Sequence, residues 1–169
     1  MTRRLDYARV APGAVHAMYA LQQYTQSSGL EHSLLELVKL RSSEINGCAY
    51  CLDMHSKDAR AAGETEQRIY VLSAWREAPF YTPRERAALA WTEAVTLIPN
   101  GVTDELYESV REHFDEKELV DLTLAIVTIN GWNRLSISLG ADVGSYQPRA
   151  HAASRAETAP DDHEPAPAR

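Results

Sequence analysis

Residues 46–55 read Asn-Gly-Cys-Ala-Tyr-Cys-Leu-Asp-Met-His, and they hold both cysteines of a 169-residue chain, Cys48 and Cys51. The pair is spaced C-x-x-C, and His55 follows the second cysteine by four positions. Upstream, Leu34, Leu37, Val38, Leu40, Arg41 and Ile45 recur with a period near 3.6, which predicts a helix from Ser33 to Ile45. Ser33 with Glu36 three residues later reads as a capping box at its start. Asn46-Gly47 breaks that helix. A following helix is expected from Ala49 to Ala62, closed by Gly63. The two thiols therefore fall at a helix–turn–helix junction, with Cys48 at the mouth of the second helix and Cys51 in its first turn. Unpaired N–H groups and the positive end of the helix dipole there favour a thiolate. A free thiol has a pKa of about 8.5, and a helix N-terminus lowers it. Cys51 and His55 share a helix face, so His55 can serve Cys51 as base or proton relay. Cys48 and Cys51 are near enough to form a disulfide across one turn.

Outward from this junction the chain reads as helices. One is expected from Pro12 to Ser28, with Pro12 in its first turn and Gly29 as its stop. A short one is expected from Thr65 to Ala74. Thr82-Pro83-Arg84-Glu85 is an N-cap, a first-turn proline and a capping-box glutamate, opening a helix to about Leu97. Thr103 caps a sixth helix, which runs through Val110 to Phe114. Asp115 with Glu118 opens a seventh, apolar around much of its circumference and ending near Gly140. Such a helix is central to a core or buried between subunits. No segment alternates with period two between hairpin turns. The fold class is all-α, with about seven helices and short connections. Residues 1–146 form the helical domain. Residues 147–169, rich in Ala, Pro, Glu and Asp, are expected to be a disordered tail.

Composition excludes several functions. The formal net charge is -7, which argues against an extended basic face for nucleic acid or anionic lipid. No apolar run reaches the length of about 18 residues that a membrane span requires. The first residues lack the apolar core of a signal peptide. The expected setting is the cytoplasm, where an isolated C-x-x-C is redox or metal chemistry and not a structural staple.

Glu36, eleven residues, Cys48, one residue, Tyr50, Cys51, three residues, His55 resembles the motif of the alkyl hydroperoxidase D (AhpD) core, within the carboxymuconolactone decarboxylase-like superfamily. Arg41 to Cys48 and Asp58 to Glu64 also look like that core, and the specific resemblance covers about residues 33 to 97. It implies an all-helical homotrimer or homohexamer that reduces organic hydroperoxides or hydrogen peroxide. It implies that Cys51 attacks the peroxide and becomes a sulfenic acid. Cys48 then supplies a proton and condenses with Cys51 as a disulfide, while Glu36 and His55 relay the activating proton. A dithiol reductant, lipoyl- or thioredoxin-like, reopens the disulfide. No cofactor and no resident metal are implied. Some members carry histidine where this chain has Tyr50, which can donate a hydrogen bond but cannot supply an imidazolium. Tyr50 is expected to be a wall of the pocket.

Other readings of the same residues stand beside this one. The cysteines can be buried small hydrophobes, or join Glu36 and His55 in a mixed zinc site. Glu36 can be no more than the partner of Ser33 in a cap. The chain can be a decarboxylase-type lyase on the same fold, or a non-enzymatic redox-sensing or metal-binding module. His16, His32 and His113 have no acidic or thiol partner at a telling spacing and read as surface or structural. Trp75, Trp91 and Trp132 read as core or interface aromatics. Asn130-Gly131-Trp132-Asn133-Arg134 lines a pocket mouth or a subunit contact, or is local interface polarity.

Overall fold

The computed structural model describes residues 4–148, and the expected tail lies outside them from residue 149 onward. Eight α-helices and two single 3-10 turns make up the regular structure of the described residues: α1 (Tyr7–Val10), α2 (Pro12–Gln26), α3 (His32–Asn46), α4 (Ala49–Ala61), α5 (Glu66–Tyr70), α6 (Pro83–Thr96), α7 (Asp104–Arg111) and α8 (Glu116–Leu139), with 3-10 turns at Leu72–Ala74 and Ile98–Asn100. No strand occurs among the described residues. The expected helix from Thr65 to Ala74 is divided into α5 and the first 3-10 turn, and α1 was not anticipated.

The centre of the molecule is α3, which packs against α4, α6 and α8. Its apolar residues serve two sides. Leu34, Leu35 and Val38 join Ala88, Trp91, Val110, Phe114, Leu122 and Ile126 in the larger core. Leu37 and Leu40 face Ala59, Leu72, Trp75, Tyr81 and Leu89. Each fully buried leucine or phenylalanine contributes about 2 kcal/mol by removal from water. The expectation that α8 is central holds for one side only. Val120, Val127 and Ile137 of α8 point outward, while Leu122, Ile126 and Ile129 point in.

Capping chemistry sets two helix starts as the residues dictate. Thr82 and Glu85 exchange reciprocal bonds at the head of α6, as do Asp115 and Glu118 at the head of α8. The expected Ser33–Glu36 box does not form. Helix α3 begins at His32, its N-cap is Glu31 without a side-chain cap bond, and Ser33 lies inside the helix. Glu36 is instead buried and turned toward α4.

The α3–α4 turn is fixed twice. Gly47 caps α3 in the left-handed region at φ 69°, a conformation that costs glycine nothing and other residues 1–2 kcal/mol or so. The Asn46 side chain then donates to Asn130 Oδ1 and Asn133 Oδ1 of α8, both at 2.9 Å. Asn133 in turn donates to Ser43 Oγ at 3.0 Å, and Asn130 to Thr96 Oγ1 at 3.1 Å. Replacing Asn46 by alanine strands the buried acceptor of Asn133 and is expected to cost about 2 kcal/mol, a fall of about 4–8 °C in Tm for a chain of this size. Thermal unfolding of Asn46→Ala checks this, and an unchanged melt contradicts it.

Candidate active site at the head of α4

Cys48 is the N-cap of α4, and its sulfur accepts the backbone N–H of Cys51 at 3.4 Å. The two sulfurs share a hydrogen bond at 2.7 Å, and no disulfide joins them. They are 1% exposed and pack with Ile129, under the partly buried rings of Tyr50 and Trp132. Tyr50 thus stands beside the thiols, and burial raises its phenol, so it faces them as a neutral group.

The acidity is unequal. The hydrogen bond from Cys51, aided by the Cys51 backbone N–H, outweighs burial and lowers the Cys48 thiol to about 7. That same contact, burial and the charge on Cys48 push Cys51 upward. The spacing to His55 points to Cys51 as the activated thiol; the bond between the sulfurs and the cap position of Cys48 favour the first ionisation of the pair at Cys48. Helix α8 supplies further stabilisation. Asn133 and Ser136 both offer hydrogen bonds that favour the thiolate form of either sulfur, and Cys51 Sγ lies 4.0 Å from Ser136 Oγ. Sequence reading passed over these two residues as thiol partners. Their signal is the three-residue spacing of Asn130, Asn133 and Ser136, a polar stripe on an apolar helix that must face inward to be satisfied.

One turn further along α4, His55 is buried and its Nδ1 lies 3.1 Å from Glu36 Oε2. Burial alone would raise the Glu36 carboxyl, but the bond to His55 and the Lys39 ammonium, 2.7 Å from Oε1, bring it down to about 2. His32 Nε2 lies 3.7 Å from the same Oε1, so His32 does have an acidic partner, contrary to its sequence reading. Among the described residues no hydrogen bond joins the His55 ring to either sulfur; the histidine is tied to Glu36, and the two thiols are tied to each other. Beyond Glu36 lies a cleft of about 360 Å³, lined by Ser33, Glu36, Glu64, Arg68, Thr82 and Glu85, which the thiols do not reach.

A metal would find Glu36, His55 and Asp58, whose donor atoms lie within 4.8 Å of one another. The cysteines do not join that group, so the four-residue zinc arrangement is not assembled. Lys39 occupies Glu36, and Tyr146 Oη donates to Asp58 Oδ1 at 2.6 Å. The residues fit a hydrogen-bonded cluster better than a cation site. The Tyr146 contact belongs to the segment after α8, which lies along α4 and also bonds Asp53 and Lys57.

The thiolate population follows pH in a defined sense. One sulfur ionises as pH rises through about 7, while its neighbour keeps its proton. Ultraviolet thiolate absorbance is therefore expected to rise by one thiolate per chain with a midpoint near pH 7. Cys48→Ser removes the more acidic sulfur, and the step near pH 7 is expected to disappear. A single transition of both thiols near the free value contradicts the arrangement.

Comparison with known proteins places this geometry. A model of the Carboxymuconolactone decarboxylase family matches residues 12–94, from α2 to α6. The uncharacterized protein YdfG of Bacillus subtilis is 52% identical over 141 residues, covering 83% of this chain and 96% of its own. A solved structure from Agrobacterium tumefaciens, a protein of unknown function described as a putative antioxidant defence protein AhpD, is 46% identical at a TM-score of 0.83, covering 86% of this chain and 100% of its own. The debrominase Bmp8 shares the fold at a TM-score of 0.72 and 20% identity, covering 79% of this chain and 73% of its own. By these likenesses, and by the helices that carry Glu36, both cysteines and His55, the chain belongs to the carboxymuconolactone decarboxylase family and has its AhpD-like all-helical core.

Proposed function

We propose that the protein is a thiol-dependent peroxidase that reduces alkyl hydroperoxides or hydrogen peroxide through Cys48 and Cys51. The observation that carries this reading is the close pair of thiols: two sulfurs 2.7 Å apart at a helix N-terminus, with donors from α8 around them, so that one proton can serve both. Transfer of that proton from Cys51 to Cys48 leaves Cys51 as the nucleophile and Cys48 as an acid. Cys51 attacks the distal oxygen of the peroxide, its S–O bond forms and the O–O bond breaks. Cys51 becomes a sulfenic acid, and the departing alkoxide takes the proton from Cys48. Cys48 then displaces hydroxide from the sulfenic sulfur to form the disulfide. The hydroxide is protonated to water through His55. Glu36 holds His55 by Nδ1, which leaves Nε2 for that transfer.

A dithiol of the lipoyl or thioredoxin type returns the pair to two thiols, so that peroxide and dithiol become alcohol, water and disulfide. An intramolecular disulfide is reopened most efficiently by a dithiol. A reducing compartment, the cytoplasm, suits this cycle; among the described residues no helix is long and apolar enough to cross a membrane. We place the chain in a homotrimer or homohexamer, a reading supported by Val120, Val127 and Ile137 exposed along α8.

Turnover of cumene hydroperoxide is expected with dihydrolipoamide and not with glutathione. Cys51→Ser abolishes it. Cys48→Ser leaves a sulfenic acid on Cys51 that dimedone traps, read by mass spectrometry. Trapping on Cys48 in Cys51→Ser instead reverses the two roles.

A further inference from the structure

Two of three indole N–H groups have partners. Trp75 donates to Glu93 Oε1 at 2.8 Å, and Trp91 to Thr123 Oγ1 at 2.9 Å. The Trp132 nitrogen is buried and has no acceptor; among the described residues no other buried side-chain nitrogen or oxygen is in that position. An unmet buried donor costs about 1–3 kcal/mol, and native proteins keep few of them. This one lies beside the reacting groups. Trp132 packs on the cluster of Cys48, Cys51 and Ile129, and it is adjacent on α8 to Asn133, which serves the sulfurs.

The ring over Trp132 is weakly held. Tyr19 of α2 stands against it at 5.1 Å between centroids and 52° between planes. Tyr19 is 51% exposed, and α2 buries only Val15 and Thr25. The sulfurs are covered too, so any reactant must displace part of this aromatic cover. Tyr19 is thus the exposed neighbour of the ring whose N–H lies unused.

We propose that the Trp132 indole N–H is the donor that holds the substrate, bonding to the oxygen of an organic hydroperoxide that becomes the alkoxide. The proposal rests on the thiol-peroxidase reading for its chemistry. In that step Cys51 thiolate bonds to the distal oxygen, the O–O bond breaks, sulfur loses two electrons and the peroxide gains them. The alkoxide is held on Trp132 Nε1 until Cys48 protonates it. A neutral donor aimed at developing negative charge strengthens as the reaction proceeds. The surroundings are Ile129 and the rings of Tyr19, Tyr50 and Trp132, with no formal charge among them. They select a neutral peroxide with an apolar body over a charged one.

The test uses the isotope-labelled full chain carrying Cys51→Ser, in which the thiol chemistry is off. Titration with cumyl alcohol, the product of cumene hydroperoxide, is followed by nitrogen–proton NMR of the three indole groups. The Trp132 signal, assigned by its loss in Trp132→Phe, is expected to move downfield to saturation while those of Trp75 and Trp91 stay. In the otherwise native chain, Trp132→Phe keeps the ring and loses the donor, and is expected to lower kcat/KM for cumene hydroperoxide about tenfold, the worth of one hydrogen bond. Its thiolate absorbance profile should be unchanged, which a general disturbance of the core would not allow. A stationary Trp132 signal, or full kcat/KM in Trp132→Phe, overturns the proposal. A saturable shift in a chain whose native form turns over no peroxide supports the donor assignment and removes the peroxidase reading.

Discussion

Everything at the candidate site depends on the turn between α3 and α4. The chain must stop one helix, reverse within two residues and present a sulfur to the N-terminus of the next. Gly47 makes the reversal possible by taking φ 69°. Asn46 makes it singular, because its amide spans both asparagines of α8 and so fixes the turn against a third helix. The consequence for chemistry is direct. With the turn held there, Cys48 caps α4, and the bond from Cys51 together with the Cys51 backbone N–H lowers its thiol to about 7.

The second feature is how charge is kept inside a helical core. Glu36 is 4% exposed, a position that disfavours a carboxylate by several kcal/mol unless it is compensated. His55 and Lys39 compensate it strongly enough to bring it down to about 2. The carboxylate is therefore ionised throughout the physiological range and holds the imidazole in one orientation. The cleft behind it gives the pair a route to water that does not pass the thiols. The aromatic rings of Tyr50 and Trp132 lie over the thiols, while Glu36 lines the cleft that the thiols do not reach.

What was legible in the sequence follows the range of the interactions involved. The heads of α6 and α8 could be read because Thr82 with Glu85 and Asp115 with Glu118 act within one turn. Ser33 with Glu36 has the same pattern and forms no cap, because His55 on the next helix draws Glu36 inward. Local spacing could not weigh that contact. The pairing of His55 with Glu36 was accessible only through a resemblance, since nothing in their own spacing of nineteen residues implies it. Asn133 and Ser136 went unassigned because their partners are more than eighty residues away in sequence. The coupling of the two thiols lay beyond reach for a related reason: the four-residue spacing from Cys51 to His55 is visible in the sequence, whereas the 2.7 Å contact between sulfurs is a property of the folded turn.

The claim at the centre is that the two cysteines act as one redox unit. It is tested by adding one equivalent of cumene hydroperoxide to the reduced protein and titrating free thiols, with intact mass in parallel. Loss of both thiols, with a mass decrease of two hydrogens and no added oxygen, is the predicted result. Thiols that remain free and unreactive would contradict it.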